Sequence, residues 1–285
     1  MHARFFLSKS IATLLATGIT FTSALHALPQ GEQVQSGTAV FERSAGALDI
    51  RTGERAIINY QSFNIGAAER VSFIQPSAQS ITLNRVTEPN PSHIFGTLTS
   101  NGQIVLANPY GIFFESGSVI NVGGIIAAAG HISDSDFLAG RMRFTGLTGD
   151  VENRGSIIAI DDVGLYGAHV SNEGVISSEK GAVTMAAGSS VFVGEAGGNI
   201  FVNAPADIPK AKVVSLPKPG VNNSGSISAP KVTLATGDMY GMAIAQSGSI
   251  VSGDIAFNAA AGGKVAVSGR VDASNRTLGG RGGKV

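Results

Sequence analysis

From Leu28 onward the apolar residues, mostly Val, Ile, Ala and Leu, fall in short alternating runs between clusters of Gly, Asn and Ser. That punctuation predicts many short strands joined by tight turns. Helical signals are scarce; Ser133 to Leu138 reads as one helical turn, capped by Ser133 or Asp134.

One pattern recurs: Asn or Ser, then Gly, then an Ile/Val pair. It appears as Asn153-Arg154-Gly155-Ser156-Ile157, Asn172-Glu173-Gly174-Val175-Ile176, Asn223-Ser224-Gly225-Ser226-Ile227, Gln246-Ser247-Gly248-Ser249-Ile250 and, more loosely, Val267-Ser268-Gly269-Arg270-Val271. The first two copies are 19 residues apart and the last three are separated by 23 and 21. A solenoid coil carrying two or three short strands needs about twenty residues. The expected fold is therefore all-β, a right-handed parallel β-helix. Coils stack at about 4.8 Å so that each strand pairs with the one below. Gly is expected to supply positive φ at the corners, and Asn to tolerate the left-handed region and bond to the next Asn up the stack. A β-sandwich also has short strands, but it does not demand the same corner every twenty residues.

The segment before about residue 110 is less regular, with Gly31 to Val34 and Phe41 to Ile50 reading as strands. A solenoid end exposes unpaired backbone, so this segment is expected to cap it. The stretch from Pro205 to Pro219 holds four prolines and three lysines and cannot continue a central strand, so 205–220 reads as an excursion or linker. The expected organisation is a leader over 1–27, a first block of cap and coils over 28–204, the excursion, and further coils over 221–285. The last of these carries a Gly-rich basic tail from Leu278, expected to fray.

The leader has basic residues Arg4 and Lys9, an apolar stretch from Ile11 to Leu25, and small residues at Ala24 and Ala27, matching a cleavable secretory signal. Thr13, Thr17, Thr20, Thr22 and Ser23 interrupt the apolar run, and Pro29 and Gly31 follow at once, which argues against a membrane span. Charged residues make up only 14% of the chain and the formal net charge is zero, leaving no electrostatic bias toward nucleic acid. Cysteine is absent, so an exported chain must rely on packing rather than disulfides.

Parallel β-helices include polysaccharide-degrading enzymes, so paired carboxylates matter. The best pair is Asp161-Asp162, but adjacent strand residues face opposite ways and the pair reads as a solvated turn. Asp134 and Asp136 read as a cap and a surface charge. His93, His131 and His169 show no metal-ligand spacing, and calcium repeats, phosphate loops and dinucleotide fingerprints are missing. No catalytic residue, metal or cofactor is indicated, and the chain reads as a non-enzyme.

Three runs carry a resemblance. They are Ile57-Ile58-Asn59-Tyr60-Gln61-Ser62-Phe63-Asn64-Ile65-Gly66, then Val71-Ser72-Phe73-Ile74-Gln75-Pro76, then Leu83-Asn84-Arg85-Val86. With Ile94-Phe95-Gly96-Thr97-Leu98, Asn101-Gly102-Gln103-Ile104 and Asn108-Pro109-Tyr110-Gly111-Ile112-Phe113-Phe114, they resemble the N-terminal domain of the filamentous haemagglutinin family over roughly Leu28 to Ala204. The resemblance implies a two-partner secretion exoprotein, recognised in the periplasm by soluble domains of an outer-membrane β-barrel transporter of a double-membraned bacterium, and localised outside the cell or on its surface. It singles out Asn84, Arg85, Asn108, Pro109, Tyr110, Gly111 and Ile112 as the transporter-recognition surface or its supports. The family's turn usually reads Asn-Pro-Asn-Gly; here Tyr110 takes the third position, while Asn108, Pro109 and Gly111 retain the turn chemistry. Two other readings predict other features. An adhesin or matrix protein binding host or neighbouring cells would need aromatic or charged stripes on coils after Val221, where Ala, Ser and Gly dominate. A polysaccharide-active enzyme would need carboxylates converging at one-coil spacing.

Overall fold

The computed structural model describes residues 27–194, 200–203, 218–237, 242–274 and 283–285. The leader up to residue 26, the 205–217 part of the excursion and residues 275–282 of the tail lie outside them. The chain winds into a right-handed parallel β-helix with three faces. The first face runs through Ala47–Thr52, Arg70–Ile74, Thr97–Ser100, Val119–Val122, Ser156–Ala159 and Val175–Ser178. It continues in the first halves of Ser226–Thr236 and Ser249–Ala259 and ends at Arg270–Asp272. The second face begins with Arg55–Tyr60, Ile81–Val86, Gln103–Ala107 and Gly124–Ala128. The third includes Ser92–Ile94, Ile112–Phe114, Val151–Asn153, Val170–Asn172 and Val221–Asn223.

Register explains the repeat. Leu48, Val71, Leu98, Ile120, Ile157, Ile176, Ile227 and Ile250 occupy one column in successive coils, and all are buried. Each removes an aliphatic side chain from water, worth about 1.5–3 kcal/mol against the entropy of ordering its coil. At the corner leading into this face Asn153 Nδ2 donates to Asn172 Oδ1 (2.8 Å), Asn172 Nδ2 to Asn223 Oδ1 (2.7 Å) and Asn223 Nδ2 to Gln246 Oε1 (2.7 Å). The expected side-chain ladder is present. The 51-residue gap between Asn172 and Asn223 does not break it, so the stack passes over the interrupting segment in register.

Two expectations about these corners need correction. No non-glycine residue has positive φ among the described residues, and the repeat glycines do not either. Their requirement is contact. A Cβ on Gly174, Gly225, Gly248 or Gly269 would stand 2.0–2.1 Å from the carbonyl oxygen of the glycine one coil below. Stacked backbones fill the space a side chain would need.

The N-terminal cap is built from antiparallel pairs on a parallel scaffold. Gln33–Ser36 pairs antiparallel with Arg55–Tyr60, and Ala39–Ser44 with Ala47–Thr52. The Phe41 to Ile50 run is thus a hairpin, turned at Ala45-Gly46, with Gly46 at φ 71. A second layer covers the outside of the second face. Ser133 accepts a bond from the Asp136 N–H and caps the helix Asp134–Leu138, and Met142–Thr145 pairs antiparallel with Ser190–Val193. Ile132, Phe137, Phe144, Leu147 and Val191 pack there against Ile57, Leu83, Val105 and Tyr166. Burial pushes the Tyr166 phenol up, with Asp162 adding to the rise. At the C-terminal end the tail is docked rather than frayed where it is described: Lys284 bridges to Asp254 and the Ile255 N–H donates to its carbonyl.

Candidate functional site

The turn after Gln103–Ala107 carries the strongest sequence signal. Pro109 follows Asn108, whose side-chain oxygen accepts the Tyr110 N–H at 3.0 Å, and the Gly111 N–H closes the turn onto the Asn108 carbonyl at 3.1 Å. Gly111 has φ 118, a conformation L side chains rarely adopt. The Asn108 amide also donates to the Asn90 carbonyl (2.9 Å) and Ser92 Oγ (3.0 Å), and Thr148 Oγ1 donates to the Pro109 carbonyl (3.0 Å). One side chain thus ties its own turn to the previous coil.

Asn84 and Arg85 lie one coil below, Arg85 opposite Ala107 and so next to Asn108 in the stack. Their side chains point to opposite sides of the sheet. Asn84 faces inward, in a column that reads Ile58, Asn84, Leu106, Ala127, Leu165, Met185 and Leu234. Its amide makes long bonds to the Thr82 and Val105 carbonyls (3.3 and 3.4 Å), while its Oδ1 is buried without a partner. Thr82, also inward-facing, is bonded to Thr52 and Gln75, so these first coils hold polar groups at positions that later coils fill with aliphatic ones. Arg85 faces outward, its side chain 18% exposed, and reaches the covering layer, donating to the Ile132 carbonyl at 3.0 Å and to Asp134 at 2.5 Å. Arg55 does the same one coil lower, donating to the Phe137 carbonyl (2.7 Å) with its guanidinium 5.2 Å from the Phe137 ring.

The structure therefore gathers the seven sequence-derived residues at one corner but presents few of them. Asn84, Asn108, Pro109, Gly111 and Ile112 are buried. Tyr110 is 51% exposed and stands as the visible side chain of the turn. Sequence reasoning missed Arg55, whose outward position carries no local motif. It also missed an aromatic stack on the third face, where His93 lies 5.0 Å from Phe113 and 6.2 Å from Phe95, with its Nδ1 2.8 Å from Glu115. Alternation along Ser92–Ile94 and Ile112–Phe114 was the available signal.

Both members of the Asp161-Asp162 pair are engaged in hydrogen bonds. Asp161 accepts from Gln103 Nε2 (3.1 Å) and Asp162 from the Ala182 N–H (2.7 Å). Asp150, Glu152 and Glu173 do gather in a shallow groove on the third face with His169, closer together than their sequence spacing suggests. Arg154 reaches both Glu152 (2.7 Å) and Glu173 (3.4 Å), and Lys218 lies 3.6 Å from Asp150; Glu152 above all holds the Arg154 guanidinium protonated. Among the described residues no group of three His, Cys, Asp or Glu is arranged to hold a metal ion, and no helix is long and apolar enough to cross a membrane.

Comparison with known proteins gives concordant matches. A family model described as the TPS secretion domain matches residues 26–284. Two curated proteins of Haemophilus influenzae, both called heme/hemopexin-binding protein, are similar in sequence. One is 35% identical over 231 residues, 76% of this chain and 24% of its own length; the other is 36% identical over 124 residues, 43% and 13% respectively. The chain thus spans about a quarter or less of these relatives. Among solved structures, the HMW1 secretion domain from Haemophilus influenzae superposes with a TM-score of 0.65 at 26% identity, over 81% of this chain and 72% of that one. The filamentous hemagglutinin secretion domain gives 0.64 at 18% identity, over 88% and 98%, a likeness of fold.

Proposed function

Since the chain belongs to the TPS secretion domain family, exoproteins exported in two-partner secretion through an outer-membrane transporter, we propose that the transporter's periplasmic domains read the Asn84-Arg85 and Asn108 to Ile112 segments before the coils close. One observation supports this reading: five of the seven residues are buried once the solenoid has formed. A partner that contacts Asn108 or Ile112 directly must therefore meet the extended chain, and adding a strand to an open sheet edge is one way to hold it. Folding outside the cell then removes the recognised segments from the transporter's reach. Coil-by-coil stacking makes that removal progressive and biases movement outward without a nucleotide-driven motor.

The proposed unit begins at Leu28, after a leader cleaved at Ala27, and includes the cap and the coils up to 204; the coils from 221 onward extend the same stack. The chain is placed outside the outer membrane, free or on the surface.

The test is export of the chain with its leader from a double-membraned host, with and without a cognate transporter, beside an Asn108→Ala/Gly111→Ala variant. The expected result is export that requires the transporter and falls in the variant. Binding of isolated periplasmic domains is expected to the denaturant-unfolded chain and not to the folded one. Full export of the variant, or equal binding to both states, overturns the proposal.

A further inference from the structure

Among the described residues the Glu69 carboxylate is met by backbone N–H groups and by no cation. Glu69 is 8% exposed, seated in the turn that leads into Arg70–Ile74, and its Oε2 accepts the Gly66 N–H at 2.7 Å. Its backbone is fixed from both sides: the Glu69 N–H donates to the Gly66 carbonyl (2.8 Å) and its carbonyl accepts the Thr97 N–H (3.0 Å). The arginines near it in the chain and the cap are engaged elsewhere, Arg70 with Asp49 and Arg43 with Glu32. Burying an ionised carboxylate without a positive partner costs several kcal/mol, and hydrogen bonds from neutral amides offset only part of that.

What meets this carboxylate is the last residue of the leader, at the edge of the exported chain. The Ala27 N–H points at both oxygens, 3.0 Å from Oε1 and 3.1 Å from Oε2. Immediately after it, Leu28 is buried in the solenoid core, and the Pro29 carbonyl is held by Arg43 at 2.6 Å. The backbone is thus pinned beside Glu69 by residues that remain after leader removal. Hydrolysis of the Ala27–Leu28 bond consumes one water and leaves a carboxylate on the departing Ala27 and an α-ammonium on Leu28. That nitrogen lies one residue along the chain from the amide now bonded to Glu69, a step that spans about 3.8 Å between Cα atoms.

We propose that Glu69 is the receptor for the mature amino terminus, exchanging the Ala27 amide for the Leu28 α-ammonium when the leader is removed. The inference rests on the leader reading above and is independent of transporter recognition. An uncleaved chain gives Glu69 a neutral donor; the processed chain gives it a full charge in a buried site, where charge-assisted bonds are about twice as strong. Processing at the inner membrane thereby supplies the charge that completes the cap once the chain folds outside the cell.

The experiment uses the chain from Leu28 to Val285, prepared with a free and with an Nα-acetylated terminus, each with Glu69 and with Glu69→Gln. Acetylation is expected to lower the thermal midpoint by roughly 5–10 °C when Glu69 is present, and by little in the Gln chain. Equal shifts in both backgrounds, or none, overturn the proposal. Should the Gln chain fail to fold, the rate at which an acylating reagent labels the Leu28 amine decides. Labelling in the folded chain at least about tenfold slower than in the unfolded chain supports the pair, and equal rates overturn it. N-terminal sequencing of exported protein separates the two readings. A start away from Leu28 overturns the proposal at its premise, while a start at Leu28 without coupling removes only the role of Glu69.

Discussion

The first and the later coils fill the same corner column with opposite chemistry. Rising through the stack, the position that closes the third face is Ile65, Ile94 and Phe114, and then Asn153, Asn172, Asn223 and Gln246, in unbroken register. On the inner side of the second face the order reverses: Thr82 and Asn84 are polar, and their counterparts above, Ile104 and Leu106, then Ile125, Ala127, Val163 and Leu165, are not. The later coils use an amide ladder to fix register and leave burial to aliphatic columns. The early coils depend on individual fits, a cap hairpin, bonded Gln and Thr side chains and one amide with an orphan oxygen. Repetition specifies the ladder and its columns, and a singular sequence specifies the individual fits.

Backbone stacking is the sharpest place to break the regular half. Gly225→Ala drives a Cβ to 2.1 Å from the Gly174 carbonyl, and we expect a loss of about 3 kcal/mol or more in denaturant unfolding. Gly117→Ala is the control: Gly117 has φ 87 but open space around it, so its cost is conformational alone, about 1 kcal/mol. Similar losses at both sites would mean that backbone contact does not hold the repeat.

In the singular half, Asn108→Ala leaves the Tyr110 N–H, the Asn90 carbonyl and Ser92 Oγ without their partner, with an expected loss of roughly 2–3 kcal/mol in the same measurement. Asn172→Ala removes two bonds of the ladder, and we expect roughly 1–2 kcal/mol. Reversal of that order would show the ladder to be the stronger device. Asn84→Leu separates folding from export. Its Oδ1 already lacks a partner, so an apolar side chain of similar volume changes stability by about 1 kcal/mol or less, while export falls if the extended chain is read there. Normal export would remove Asn84 from the recognised set.

The smallest effect concerns acid. A hydrogen bond from Arg141, and then one with Ser133, holds the Asp136 carboxyl below its ordinary value. A depressed carboxylate stabilises the fold above its unfolded value, about 3.9, and that contribution is lost as pH falls through the lower folded value. Asp136 lies on the surface, so the change is local. Protection of the Asp134–Leu138 amides, taken relative to their intrinsic exchange rate at each pH, should fall as pH drops from about 5 to about 3, with the coils unaffected.

The regular half was legible because each coil makes the same demand: Asn153, Asn172 and Asn223 announce a ladder, and Ile157, Ile176 and Ile227 a column. The glycines between them were legible as punctuation but not in their cause, since a contact between residues a coil apart leaves the same letter as a positive φ. The covering layer was largely illegible, because Met142–Thr145 finds its partner strand at Ser190–Val193 and nothing local marks the pair. The short helix and its Ser133 cap were readable, as capping is a local affair. At the proposed recognition corner the motif residues were identified through resemblance, and the turn chemistry followed from Asn, Pro and Gly. Their burial did not, because it comes from the neighbouring coils.

The amide ladder also has a direction. From Asn153 to Gln246 every rung donates upward, so the side-chain dipoles add rather than cancel, and in a low-dielectric interior each bond polarises the next. Such a row behaves like a small aligned dielectric: lengthening it strengthens the rungs behind. It ends on Gln246 Nε2, a buried donor with no acceptor among the described residues, beneath Val267. The accumulated polarisation is thus left uncompensated at the upper end, which makes the Gln246 corner the place where the stack should first admit water.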